Sequence, residues 1–269
     1  SEMTDEFSGG AAANCIPHMY DDVVFNASSG FTSGNNTITA TGPVFVHNMT
    51  WNNAPATPVY NPVTYVYGNV YLQKDMSASA SMFNIFKYNN TGPAANRYMN
   101  FEGQKIAQLN VSGNDNFYLM AATISSPYDV EVAANFNFDN NAIVSNLYAD
   151  GRKIKAREFW LGGNTISIDN AILQMTTLNI NTRQTITAPN TSVYVQNYNG
   201  KYYYSGNGNH YFGKIFKEGT FQGDLRSVNT GILQVNAGDI RFLDANKTDH
   251  FIINSSSHLM MNDSYTQLM

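Results

Sequence analysis

The side chains of this chain that could do chemistry are few and scattered. Two adjacent carboxylates, Asp21 and Asp22, precede the run Val23-Val24-Phe25. Calcium takes about six to eight oxygen ligands. No further acidic residue follows at a loop-ligand spacing, and neighbours in a strand point to opposite faces. Asp21 and Asp22 are therefore weak calcium candidates and better candidates for a turn or cap. The histidines (His18, His47, His210, His250 and His258) show no metal-ligand spacing and read as surface or coil residues. Cys15 is the only cysteine, so it forms no internal disulfide, and no nucleophile constellation surrounds it. Glycan cleavage would need paired carboxylates about 5–10 Å apart on one face. Asp129 with Glu131, or Asp239 near Arg241, are the candidates for such a site, and pairs of this kind arise by chance in any strand. No G-x-S-x-G, phosphate loop or His-Glu-x-x-His is present, and no cofactor is expected.

Contact chemistry has a better candidate. Residues 196–213 carry Tyr198, Tyr202, Tyr203, Tyr204, Tyr211 and Phe212. Exposed tyrosines stack on sugar rings and offer hydroxyls, and clustered exposed aromatics mark interaction surfaces. The plainer alternative is a hairpin that buries those rings on its own flank. Trp160 alternates against Phe159 and Leu161, which points it outward as a further contact candidate. Trp51 also lies in a strand.

The elements that must position these residues are strands. From Ile154 to Ile168 the apolar residues Ile154, Ala156, Phe159 and Leu161 are followed by a turn at Gly162-Gly163-Asn164 and by Ile166 and Ile168. Alternation with period two marks a half-buried strand, and glycine and asparagine accept the positive φ of a turn. The design recurs from Ile106 to Leu119: Leu109 and Val111 match Phe159 and Leu161, Gly113-Asn114 matches Gly163-Asn164, and Phe117 and Leu119 match Ile166 and Ile168. Strand–turn–strand units that recur with no helix between them predict an all-β fold, a parallel β-helix (β-solenoid). No stretch sustains a 3.6-residue period with caps.

Composition agrees. Apolar residues make up 43% of the 269 and charged residues 13%. The polar surface is built instead from Ser, Thr and 36 asparagines, a residue that tolerates left-handed backbone and can ladder its amides between stacked strands. The net charge is −5: residues 1–150 carry 4 Lys/Arg against 12 Asp/Glu, and residues 151–269 carry 11 against 8. Neither half is basic enough to propose nucleic acid. No apolar run reaches the roughly 20 residues that span a bilayer, so direct membrane insertion is not expected. The N-x-S/T strings at Asn26, Asn35, Asn48, Asn110 and Asn190 follow from composition.

Along the chain, residues 1–19 lack periodicity and read as a loose leader, and 20–269 as one parallel β-helix domain. Strands are expected at 21–25, from Ile38, at 44–46 and 48–51. The prolines Pro55, Pro58 and Pro62 make 52–64 a surface excursion. Strands resume at 66–72. Residues 76–97 fit either a strand pair or a short helix. Coils then come steadily from Tyr98 to Asn181. The tyrosine-rich 196–213 breaks the rhythm, and strands return at 214–216, 231–235, 240–243 and 251–253. Ser1 opens directly on a polar segment, as in a mature or trimmed chain, and the chain is expected to continue past Met269.

Several strings carry a family likeness. DDVVF (21–25), NTITATGPVFVHNMTW (36–51) and VYGNVYL (66–72) resemble the start of β-helical repeat segments in very large secreted, adhesin-like surface proteins of the Bacteroidetes, flavobacteria above all. GQKIAQLNVSGNDNFYL (103–119), FNFDNNAIVSN (136–146) and FWLGGNTISI (159–168) are similar too. The likeness spans roughly residues 15–195, and the first coil with its MTW segment is its most specific part. It implies a parallel β-helix in a protein exported by the type IX secretion route, whose sorting domain lies at a distant C-terminus; no sorting domain occurs in this sequence. It carries no catalytic motif.

The function expected from residues and resemblance together is a non-catalytic structural or adhesive segment of a secreted cell-surface protein. It would present a stiff β-helical rod to a host or environmental surface, polysaccharide included, beside further domains of a longer parent chain. One alternative is a carbohydrate-binding module that uses the tyrosine-rich loop. Another is a β-helical polysaccharide lyase or glycosidase.

Overall fold

Six strands of the C-terminal half lay one apolar column on the next: Ile154, Leu173, Val193, Ile215, Leu233 and Phe251 are register partners in turn. All but Phe251 are fully buried. Columns of this kind are the fold. A computed structural model describes residues 17–87, 92–122, 127–138, 146–182, 184–200, 210–244, 246–254 and 256–261. These residues form an all-β, parallel β-solenoid of about ten turns, with no helix among them.

The chain divides into two compact units, residues 1–135 and 136–269. In the first, one sheet takes Val23–Asn26, Met49–Asn52, Val70–Tyr71, Asn96–Asn100 and Asn116–Leu119 in that order. Its inner column runs Val23, Met49, Val70, Met99, Leu119. A second sheet takes Val44–Val46, Val63–Val66, Ala78–Phe86 and Lys105–Ser112, with Val46, Val66, Ile85 and Val111 as its inner column. In the second unit, Lys153–Leu161, Ile172–Ile180, Thr187–Asn199, Tyr211–Lys217, Asn229–Val235 and Lys247–Ile253 pair in sequence, all parallel. Parallel ladders buried on their inner face suit the Val, Ile, Leu and Phe found there.

The repeat read from the sequence is present in both units. Lys105–Ser112 turns into Asn116–Leu119, and Lys153–Leu161 into Thr165–Ser167. Leu109, Val111, Phe117, Leu119, Phe159, Leu161 and Ile168 are all buried, while Ile166 is half-buried. Gly113 and Gly163 have φ of 121° and 95°. A Cβ at Gly113 would come within 2.7 Å of the Lys87 Cβ, so the turn needs glycine for conformation and for space.

Three expectations change. Residues 52–64 are not a surface excursion: Val59–Tyr60 and Val63–Val66 are strands, and Ala54, Pro58, Tyr60 and Pro62 are buried. Pro58 and Pro62 each stand just before a strand, where a missing N–H breaks no ladder. Residues 78–86 are strand, which resolves the ambiguity of 76–97 in the described part. The tyrosine-rich region is strand at both ends, Thr187–Asn199 running through residue 199 and the next strand starting at Tyr211; residues 201–209 lie outside the described residues. The expected leader lies outside them as far as residue 16.

Pro189 sits inside Thr187–Asn199, where the register with the next strand shifts between Ala188 and Ser192. Gly213 fills the space beside this bulge: a Cβ there would lie 1.8 Å from the Pro189 carbonyl oxygen. Gly213→Ala is expected to destabilise the protein by about 2–3 kcal/mol through forced backbone movement. Gly42→Ala, with open space at its Cβ position, is expected to leave the thermal midpoint nearly unchanged. Equal midpoints for the two variants would contradict this packing.

Candidate functional site

The corners of the coils are held by side-chain oxygens. Asp22, Asn48, Asn69, Tyr98 and Tyr118 occupy one column, following the register of their strands. Asn48 Nδ2 donates to Asp22 Oδ1 at 2.8 Å, Asn48 Oδ1 accepts the Asn69 N–H at 2.7 Å, and Asn69 Oδ1 accepts the Tyr98 N–H at 2.9 Å. The second unit repeats the device with Asp150 accepting the Asp169 N–H at 2.7 Å and Asp169 accepting the Asn190 N–H at 3.0 Å. Each such oxygen replaces a ladder bond where the backbone leaves the sheet.

The carboxylates weighed for chemistry serve the same end. Asp21 Oδ2 accepts the His18 N–H at 2.9 Å and closes a turn. Asp22 Oδ1 accepts from both Asn48 nitrogens and lies 3.0 Å from His47 Nδ1; burial raises its pKa, and the Asn48 and His47 hydrogen bonds bring it below the ordinary value. Arg241 makes a two-pronged pair with Asp224 at 3.0 and 2.7 Å, and Asp239 pairs with His258 at 3.0 Å. Glu131 lies 3.8 Å from Lys105, and Asp129 caps the Ala122 N–H at 2.9 Å. Each of these carboxylates thus has a basic side chain or a backbone N–H beside it.

The aromatic candidates divide. Tyr198 is corrected from contact residue to core: it sits in the column Phe159, Leu178, Tyr198, Leu225, Phe242 and is 1% exposed. Its hydroxyl is buried without a hydrogen-bond partner among the described residues, and burial holds its pKa far above the ordinary value. Phe212 is likewise buried. Tyr211 is half-buried, its hydroxyl packed over Gly231. Trp160 is half-buried on the outer face, its indole N–H donating to Glu158 Oε2 at 3.2 Å. Tyr202, Tyr203 and Tyr204 lie outside the described residues.

The first unit carries an outer aromatic surface that was not singled out from the sequence. Tyr71, Tyr98 and Tyr118 are half-buried on the outward side of its first sheet. Tyr98 and Tyr118 stack at 5.4 Å. Burial, and then the neighbouring Tyr98, raise the pKa of Tyr71, which keeps its hydroxyl neutral at ordinary pH. Amides flank the rings: Asn100 is the register partner of Tyr71, and Asn116 Nδ2 donates to Asn96 Oδ1 at 3.1 Å. On the second sheet, Phe45, Tyr65 and Phe86 stack at 5.0 and 5.6 Å. The signal was available, since Tyr71 lies between Val70 and Leu72, and Tyr118 between Phe117 and Leu119.

Tyr71 also borders a groove of about 800 Å³ formed by residues 50–57, 71–75, Asn100 and Glu102. A second cavity, about 460 Å³, lies between core residues Val23, Phe25, Met49 and Tyr60 and the exposed segment 39–43.

Two buried ionisable groups are structural. Asp115 is fully buried between Lys87 Nζ at 3.1 Å and Arg97 Nε at 2.9 Å, and accepts the Ala95 N–H at 2.8 Å. Burial pushes its pKa up, but these hydrogen bonds outweigh it and hold the carboxyl below the ordinary value. Lys217 is fully buried in an otherwise apolar column and donates to the carbonyls of Gly219, Phe221 and Ala237 at 2.7–2.8 Å. No group of three or more metal-ligating side chains occurs among the described residues.

The Asp115 carboxylate, with its folded pKa depressed, contributes stability that is complete above the unfolded value near 3.8 and lost as pH falls through the folded one. Asp115→Asn is expected to cost about 3 kcal/mol at neutral pH by leaving the partly buried cations Lys87 and Arg97 unbalanced. It should also flatten the stability profile below pH 3.8. His210 adds a second acid-sensitive component. Burial pushes its pKa down to about 4, so its contribution is present above the ordinary 6.5 and lost as pH falls towards 4. His210→Asn should remove that part of the profile, and denaturant melts from pH 7 to 3 measure both.

Compared with protein-family models, with curated proteins and with solved structures, the chain matches none, so its reading rests on its own residues and fold.

Proposed function

We propose that the chain is a non-catalytic, adhesive segment of a secreted cell-surface protein, and that its outer coil faces meet a polysaccharide-bearing surface. The observation that carries this reading is the half-exposed tyrosine group Tyr71, Tyr98 and Tyr118, set among asparagine amides on one outward sheet face. Phenol rings present an apolar face and a polar tip at low entropic cost, which suits attachment to hydroxyl-rich material. The sheet beneath supports the reading, because its inner column is buried and its corner hydrogen bonds tie each coil to the next. Such a platform holds its rings in place before any partner arrives, which limits the ordering cost of binding. The carboxylates described above are engaged in corner bonds and ion pairs, which favours attachment over cleavage. The tyrosine-rich loop reading keeps fewer of its members, since Tyr198 is in the core.

Beads coated with the intact chain should be retained on polysaccharide-coated surfaces under flow. Retention should fall several-fold for the Tyr98→Ala/Tyr118→Ala double variant. Retention no greater than that of albumin-coated beads would sink the adhesive reading. Release of soluble saccharide from the coating would sink its non-catalytic part.

A further inference from the structure

The groove beside Tyr71 has four properties that a corner between coils does not need. Its volume, about 800 Å³, falls in the roughly 300–1,000 Å³ range of small-molecule sites. Of the seven non-glycine residues with positive φ among the described residues, four stand on its walls: Asn53, Ala56, Thr57 and Glu102. That conformation is disfavoured for alanine and more so for a β-branched threonine, and such strain gathers at ligand sites. The strained turn is pinned from outside: Asn36 Nδ2 donates to the Ala56 and Thr57 carbonyls, while the Gln73 amide accepts the Ala54 N–H at 2.8 Å and donates to the Ala54 carbonyl at 2.9 Å. Finally, Trp51, another lining residue, is 97% buried against Phe25 and Tyr60, and its indole N–H has no hydrogen-bond partner among the described residues, an unmet donor of a kind native structures seldom leave.

We propose that this groove is the binding site for a neutral oligosaccharide, one sugar ring packing on the Tyr71 phenol and its hydroxyls bonding to the amides and strained backbone of residues 52–57. The lining chemistry selects that class. The exposed rim charges, Lys74 and Asp75, are of opposite sign, and Glu102 accepts from Asn100 Nδ2 at 2.7 Å. The remaining polar lining is amide and hydroxyl, without the arginine cluster that an acidic sugar or phosphate would call for. Tyr98 and Tyr118 continue the aromatic surface away from Tyr71 along the outward face, so a chain longer than one ring has a path out of the groove. The assignment rests on the adhesive reading and adds to it a place and a ligand class.

The test uses the intact chain with cellohexaose, xylohexaose, laminarihexaose and mannohexaose, and polygalacturonate as the acidic counterpart. At least one neutral hexaose should bind, with affinity reduced about tenfold by Tyr71→Ala and unchanged by Tyr65→Ala on the other sheet. The protein has two tryptophans, so a Trp160→Phe variant leaves Trp51 as the sole reporter. Its emission should shift on addition of the same sugar, a readout that does not depend on how well a groove variant folds. Binding that Tyr65→Ala abolishes and Tyr71→Ala spares, with no change at Trp51, overturns the groove and leaves surface adhesion standing. Binding of polygalacturonate alone overturns the neutral class. Failure of every glycan to bind, together with failure of beads to be retained, overturns the site and the adhesive reading at once; retention without binding of these sugars overturns the site alone.

Discussion

Within the strands of a stacked coil, backbone N–H and C=O groups must find their partners in the coil above or below. Neighbouring strands lie about 4.8 Å apart, and no helix occurs among the described residues to absorb the groups left over. Within the strands the parallel ladders meet this demand. At the corners they cannot, because the chain changes direction and its amides no longer face a neighbouring strand. There the side chains of Asp22, Asn48, Asn69, Asp150 and Asp169 reach across, each oxygen taking a donor from the adjacent coil. The abundance of asparagine follows from this demand: it is short, it accepts and donates together, and it tolerates corner backbone.

The same constraint explains the buried charges. Lys217 occupies a column whose other members include Ala156, Met175, Val195 and Val235. Its ammonium gathers three carbonyls that the turns of two successive coils would otherwise leave unmet. Asp115, Lys87 and Arg97 do comparable work from the acidic side, the carboxylate taking the Ala95 N–H as well as both cations. A buried ion is tolerated when its remaining hydrogen-bonding capacity is used, and both sites use it on backbone. Charges committed in this way tie adjoining coils together through their backbones.

The outward aromatic and amide surface is a by-product of alternation which the protein can use. On a strand whose inner residues are fixed by the core, the outer residues are free to vary, and successive coils align them into columns. Tyr98 above Tyr118, Phe45 above Tyr65 and Tyr194 above Phe216 are stacks of this kind. The groove next to Tyr71 departs from regular stacking because its turn carries three consecutive-region residues in positive φ, held there by Asn36 and Gln73 from other coils.

Much of the fold was legible in the chain itself. Period-two alternation in Ile154–Leu161 and its counterpart in Ile106–Val111, each followed by a glycine-asparagine turn, specified parallel strands and their inner faces, because a strand has only two sides and one of them must be dry. The short strands at 59–60 and 63–66 were hidden by prolines that proved to flank them. Tyr198 looked like a loop residue because its local string is polar and aromatic; it lies in the core because residues far apart in sequence, Phe159, Leu178, Leu225 and Phe242, define the column it joins. The sequence by itself determined the strand period, the turn chemistry and the scarcity of reactive groups, since these depend on neighbours along the chain. Only the tertiary structure decided which tyrosines face solvent, which charges are sealed in pairs and where a groove opens, because those depend on what the adjoining coil places beside them.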